Sequence, residues 1–175
     1  MNQQENIEKK LTKSFFKVAS ITASVAILGL IALIVISNRY SYALKNYGFA
    51  QGDIGKAMFE FADVRSSLRA AIGYDEADAI TAVVKQHDEH KKAFLENFAK
   101  VEETIVSEDG RKTYNEISAA LEEYWRLDTE IMNLGATTDR ELCKQAQDIA
   151  LNELAGVYDN IYTSLESLLT VKVHE

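Results

Sequence analysis

The chain has 175 residues, 47% apolar and 26% charged, with no proline and eight glycines. This composition excludes disordered and collagen-like chains, and it leaves too few turn-forming residues for a strand-rich fold, so long helices are expected. A lone cysteine, Cys143, excludes an internal disulfide, a cysteine zinc cluster and covalent haem attachment.

The formal charge of −8 is unevenly spread. Residues 1–17 carry four lysines against two glutamates, a net of +2, whereas residues 38–175 carry 15 basic against 25 acidic groups, a net of −10. So acidic a region argues against nucleic acid or anionic lipid as its partner. Between the two lies Val18–Ser37, 20 residues without a charge, which at about 1.5 Å per residue matches a hydrocarbon slab of about 30 Å. The run predicts a transmembrane helix rather than a cleaved signal peptide, whose apolar part spans only about 7 to 15 residues. A candidate small-x-small cleavage site, Ser41-Tyr42-Ala43, lies well past its end. Lys9, Lys10, Lys13 and Lys17 hold the N-terminus inside by the positive-inside rule. Residues 1–17 are therefore expected in the cytoplasm, 18–37 in the cytoplasmic (inner) membrane, and 38–175 outside it.

The outer region breaks at Gly73-Tyr74-Asp75, at Ser107-Glu108-Asp109-Gly110 and at Gly135-Ala136-Thr137-Thr138. Asp75 is a candidate N-cap, and Thr138 with Glu141 three residues on has the form of a capping box. Helices are predicted over 39–72, 76–106, 110–134 and 139–173. In each, apolar residues recur at steps of 3 and 4, as in Ile54, Met58, Phe61, Leu68 and Ile72, or in Tyr114, Ile117, Leu121, Tyr124, Leu127, Ile131 and Leu134. Short connections force antiparallel neighbours. The expected fold is all-α, an up-down-up-down antiparallel four-helix bundle continuous with the N-terminal transmembrane helix. The first and last segments are each about 50 Å long at helical rise, so both reach the membrane, and a second apolar span is expected beyond Glu175.

Three stretches carry a resemblance: Asn46-Tyr47-Gly48-Phe49-Ala50-Gln51-Gly52-Asp53-Ile54-Gly55-Lys56, Arg65-Ser66-Ser67-Leu68-Arg69-Ala70-Ala71-Ile72-Gly73-Tyr74, and Gly135-Ala136-Thr137-Thr138-Asp139-Arg140. With the basic N-terminus and single span, they make essentially the whole chain similar to the N-terminal part of a methyl-accepting chemotaxis protein of clostridial type. The resemblance implies a homodimeric, extracytoplasmic sensor domain that binds a small-molecule ligand or a periplasmic binding protein and passes a small helix displacement across the membrane. It also implies a HAMP linker and a cytoplasmic region that engages an adaptor and a histidine kinase, neither of which this sequence contains. A sensor histidine kinase or a cyclase can wear the same outer domain, and a non-signalling membrane-anchored bundle is the structural alternative.

Arg65 falls on the apolar stripe of the first outer helix, and Arg69 is one turn further on. A guanidinium there needs a partner, which is either an acid of a neighbouring helix or of a dimer mate, or a ligand carboxylate gripped by its bidentate fork. By resemblance, this is the level at which aspartate-type receptors hold their ligand. At the same height the last helix offers Gln145 and Gln147, so Arg65, Arg69 and Gln145 are the candidate ligand-binding residues.

His87 and His90 are three apart on one helix, a spacing that can share a metal. No matching Glu-x-x-His or cysteine pair occurs elsewhere, so no metal or other cofactor is expected, and a polar or pH-sensitive layer is the preferred reading. Tyr114, Tyr124, Trp125, Tyr158 and Tyr162 are expected in core and dimer-face packing. No nucleophile triad, phosphate loop or carboxylate pair stands out, so no enzyme activity is expected.

Overall fold

A computed structural model describes the backbone of residues 2–174 and the side chains of residues 7–172. Glu5, one of the two N-terminal glutamates, and Glu175, beyond which a second span is expected, lie outside the described side chains. The chain divides into two compact units, Met1–Ala43 and Leu44–Glu175.

The first unit is one helix, α1 (Asn2–Ala43). Its apolar side chains, Ile21, Leu28, Ile31 and Leu33 among them, are all exposed. The hydroxyls of Thr22 and Ser24 donate to the carbonyls of Val18 and Ser20 one turn back, at 3.0 and 2.9 Å. Such internal satisfaction lets a hydroxyl do without water. By length and composition α1 is able to cross a membrane.

The second unit is a four-helix bundle, and no strand occurs among the described residues. A π-helical turn, Leu44–Phe49, leads into α2 (Ala50–Ala71), and α3 (Ala77–Glu103) and α4 (Glu108–Gly135) follow. The fourth helix is split: α5 (Arg140–Ile149) passes through a second π-turn, Ala150–Leu154, into α6 (Ala155–His174). α2 packs against α3 and α6, and α4 against α5 and α6. Residues 44–49 and 104–107 mark the proximal end of the bundle, and residues 72–76 and 136–139 the distal end.

Residues spaced by three, four or seven share one helical face, and that face is what the bundle buries. Ile54, Phe61 and Leu68 of α2 meet Phe94 and Val101 of α3, Ile117, Leu121, Tyr124 and Ile131 of α4, and Leu154, Ile161, Leu165 and Leu168 of the last helix. Phe61 is the hub. Its ring centroid lies 4.7 Å from Tyr124, 4.9 Å from Tyr158 and 5.0 Å from Phe94, all within favourable aromatic range. Removing so buried a ring costs about 3 to 5 kcal/mol. Tyr114, Tyr124 and Tyr158 are core residues, with Trp125 and Tyr162 packed against them.

Two caps differ from the sequence reading. Asp75 does not cap α3: the N-cap is Glu76, which makes no side-chain cap bond, while Asp75 pairs with Arg140 across the distal end. The capping box at Thr138 is likewise displaced by one residue. Asp139 is the N-cap of α5, and its carboxylate accepts from the backbone amides of Glu141 and Leu142 at 2.9 and 3.3 Å. A carboxylate outcompetes a hydroxyl there because it also answers the positive end of the helix dipole. Ser107 caps α4, accepting from the amide of Gly110 at 3.1 Å.

Gly135 sets how closely the distal elements approach. A Cβ at this position would stand 2.4 Å from Cβ of Ala146 and 2.8 Å from Cγ2 of Ile72. Only a hydrogen fits, so α4 ends in direct contact with α5 and the end of α2. The thiol of Cys143, buried in the same place, donates to the carbonyls of Gly135 and Thr137 at 3.3 and 3.1 Å.

Candidate functional site

An open groove of about 230 Å³ lies at the distal end between α2 and the second π-turn, lined by Arg69, Ile72, Gln147, Ala150 and Leu151. Its walls are largely apolar and Arg69 supplies its charge. Gln147 is oriented by donating to the backbone carbonyl of Ile72 at 2.9 Å, which satisfies one of the carbonyls left open at the end of α2. The π-turn interrupts the helix at the groove, and such single turns recur at functional sites. Leu151, inside it, is 64% exposed.

The two candidate arginines have different surroundings. Arg65 is engaged: its Nη1 donates to Asp159 of α6 at 3.2 Å, and its guanidinium lies 4.0 Å over the ring of Tyr158. Arg69 is exposed and faces the groove. Gln145 is exposed and does not line the groove; Gln147, two residues on, does. The structure therefore brings Arg69 and Gln147 together and sets Arg65 and Gln145 apart from them.

The histidines also part. His87 is 2% exposed and belongs to a polar layer inside the bundle. Its Nε2 donates to Asp128 of α4, 3.3 Å from Oδ2 and 3.1 Å from Oδ1, while Nδ1 lies 3.2 Å from both the Ser67 hydroxyl and the Val64 carbonyl. Lys91 adds a second donor to Asp128 at 3.2 Å and lies 4.5 Å from the ring centre of Trp125. Asp128, at 1% exposure, is thus a buried carboxylate held between two cation-capable groups. His90 turns instead to the outer face of α2, where its Nδ1 is 2.7 Å from Glu60 and 3.8 Å from Asp63.

The tyrosines respond to this interior. Burial pushes the Tyr124 hydroxyl far above the usual tyrosine range, the charge of Asp128 pushes it further, and among the described residues the hydroxyl has no hydrogen-bond partner. Burial raises Tyr158 as well, while the guanidinium of Arg65 pulls it back.

Asp128 escaped the sequence reading because it reads as an ordinary helix acid, although it stands one turn after the core residue Tyr124. His87 was legible in the sequence as part of a polar layer. Neither π-turn leaves a compositional mark.

A family model described as "Four helix bundle sensory module for signal transduction" matches residues 4–175. No curated protein and no solved structure matches the chain significantly.

Proposed function

The chain belongs to the family of four-helix-bundle sensory modules for signal transduction, which is not an enzyme family, and on that premise we propose that it is the extracytoplasmic input domain of a bacterial chemoreceptor. In this reading α1 anchors the protein in the cytoplasmic membrane with its lysine-rich end inside, and the bundle samples the medium. The observation that carries the proposal is the distal groove, where Arg69, a charged residue with no ion pair among the described residues, faces a π-turn in the last helix of the bundle.

A small organic acid suits this groove: its carboxylate meets the Arg69 guanidinium and its carbon skeleton lies on Ile72, Ala150 and Leu151. Contact with the π-turn couples binding to α6. A π-turn holds one residue more than an α-turn, and each residue is worth about 1.5 Å of axial rise, so tightening or loosening it displaces the helix below. A ligand drives that step only through a difference in affinity for the two states.

The test is a thermal-shift screen of the full chain in lipid nanodiscs against acetate, succinate, malate, benzoate, aspartate and glutamate. At least one of them raises the melting temperature, and Arg69→Ala abolishes the rise. A panel without effect, or a rise that survives Arg69→Ala, overturns the proposal.

A further inference from the structure

Glu60 and Asp63 stand three residues apart on α2, and His90 faces both from α3. These three donor atoms lie within 4.8 Å of one another, and we propose that they bind a divalent transition-metal ion. The two helices are fixed beneath the cluster by core residues on either side, Phe61 and Val64 on α2 and His87 and Phe94 on α3, all buried. The backbone positions that carry the donors are therefore fixed before any ion arrives, which lowers the entropy lost on binding.

The spacing fits an ion. Nδ1 of His90 is 2.7 Å from Oε2 of Glu60 and 3.8 Å from Oδ2 of Asp63. With metal–nitrogen and metal–oxygen bonds of about 2.0 to 2.2 Å, ligands of a tetrahedral centre stand about 3.4 Å apart. The two observed distances bracket that value, so small side-chain rotations place all three donors on one ion. The three side chains are 22% to 34% exposed, which leaves room for water at the remaining coordination position.

Charge points the same way. Most acids that pair within this bundle meet a lysine or an arginine, but among the described residues Glu60 and Asp63 have His90 alone. That leaves the two carboxylates without a lysine or arginine, and a doubly charged cation neutralises them directly. One nitrogen and two carboxylate donors suit zinc, cobalt or nickel, whereas magnesium and calcium favour all-oxygen sites. The cluster is distinct from the groove on α2 and α5, so its failure and that of the organic-acid proposal are separable.

The experiment titrates the full, chelator-stripped chain in detergent micelles with cobalt chloride, followed by visible absorption, and with zinc chloride, followed by calorimetry. One ion binds per chain, cobalt shows the strong visible bands of a four-coordinate site, and excess magnesium does not compete. His90→Ala and Glu60→Gln each weaken binding by at least about tenfold, since loss of a direct ligand costs no less than loss of an outer-shell partner. His174→Ala leaves binding unchanged. Circular dichroism confirms that both variants stay helical, as expected for substitutions at the bundle surface. Absence of saturable binding, or binding undiminished in folded His90→Ala, overturns the proposal.

Discussion

Lys172 of α6 donates its ammonium group to the backbone carbonyl of Thr104, the C-cap of α3. The same group reaches the carbonyl of Asn46 in the first π-turn at 3.4 Å, and Gln51 donates back to the carbonyl of Lys172 at 3.3 Å. At 1% exposure, this lysine is as buried as the leucines above it. Its charge sits at the negative end of the α3 dipole, so it stitches the end of α6 to α3 and to the start of the bundle.

Lys172→Met keeps the aliphatic volume and removes the donor. The variant is expected to lose about 2 kcal/mol in urea unfolding, the scale of hydrogen bonds to a charged group, with amide exchange accelerating around residues 44–51 and 101–106. An unchanged midpoint and unchanged exchange would contradict the stitch.

Asp128 and His87 form one unit, so their substitutions are expected to be non-additive. Asp128→Ala strands a buried imidazole and frees Lys91, at a cost of about 3 kcal/mol, the range for breaking a buried ion pair on one side. His87→Ala strands the carboxylate at similar cost. In the double variant the penalties overlap, and a double-mutant cycle by urea unfolding returns a coupling of about 1 to 3 kcal/mol. A coupling of zero would mean that the layer is not a unit.

Tyr124→Phe removes a buried hydroxyl that lacks a partner among the described residues. It is expected to stabilise the bundle by about 1 kcal/mol at neutral pH. The hydroxyl titrates higher in the folded than in the unfolded chain, chiefly through burial. Its contribution is therefore full below the unfolded value of about 10 and is lost as pH rises past it. Unfolding midpoints measured from pH 8 to 11 fall less steeply in Tyr124→Phe than in the parent; parallel curves would refute the assignment.

How much of this was legible varies with the physics. Spacing by three and four reports burial directly, so Phe61, Leu68, Leu121, Ile131 and Leu165 could be assigned to the core from the sequence, as could the bundle itself. Buried polar residues carry no such mark. Asp128 and Lys172 read as surface charges because their partners, His87 and Thr104, come near only once the helices pack. The caps slipped by one residue at Glu76 and Asp139, where the choice among adjacent acids and hydroxyls depends on backbone angles rather than residue type. At the candidate site Arg69 was read and Gln145 was named with it, but that Gln147 lines the groove depends on how α5 meets the end of α2, and the π-turn that brings Ala150 and Leu151 there is a backbone event with no signature in composition.

The central claim is that ligand binding at the distal groove moves α6 against α2, and a distance measured between those helices tests it most directly. Spin labels at Lys56→Cys and Glu166→Cys, both exposed positions, in a Cys143→Ala background report that distance by pulsed electron paramagnetic resonance on the nanodisc-bound chain. The carboxylate that raises the melting temperature is expected to shift the mean distance by about 1 to 2 Å, and Arg69→Ala to hold it at the ligand-free value. Identical distance distributions with and without the bound compound would contradict the account.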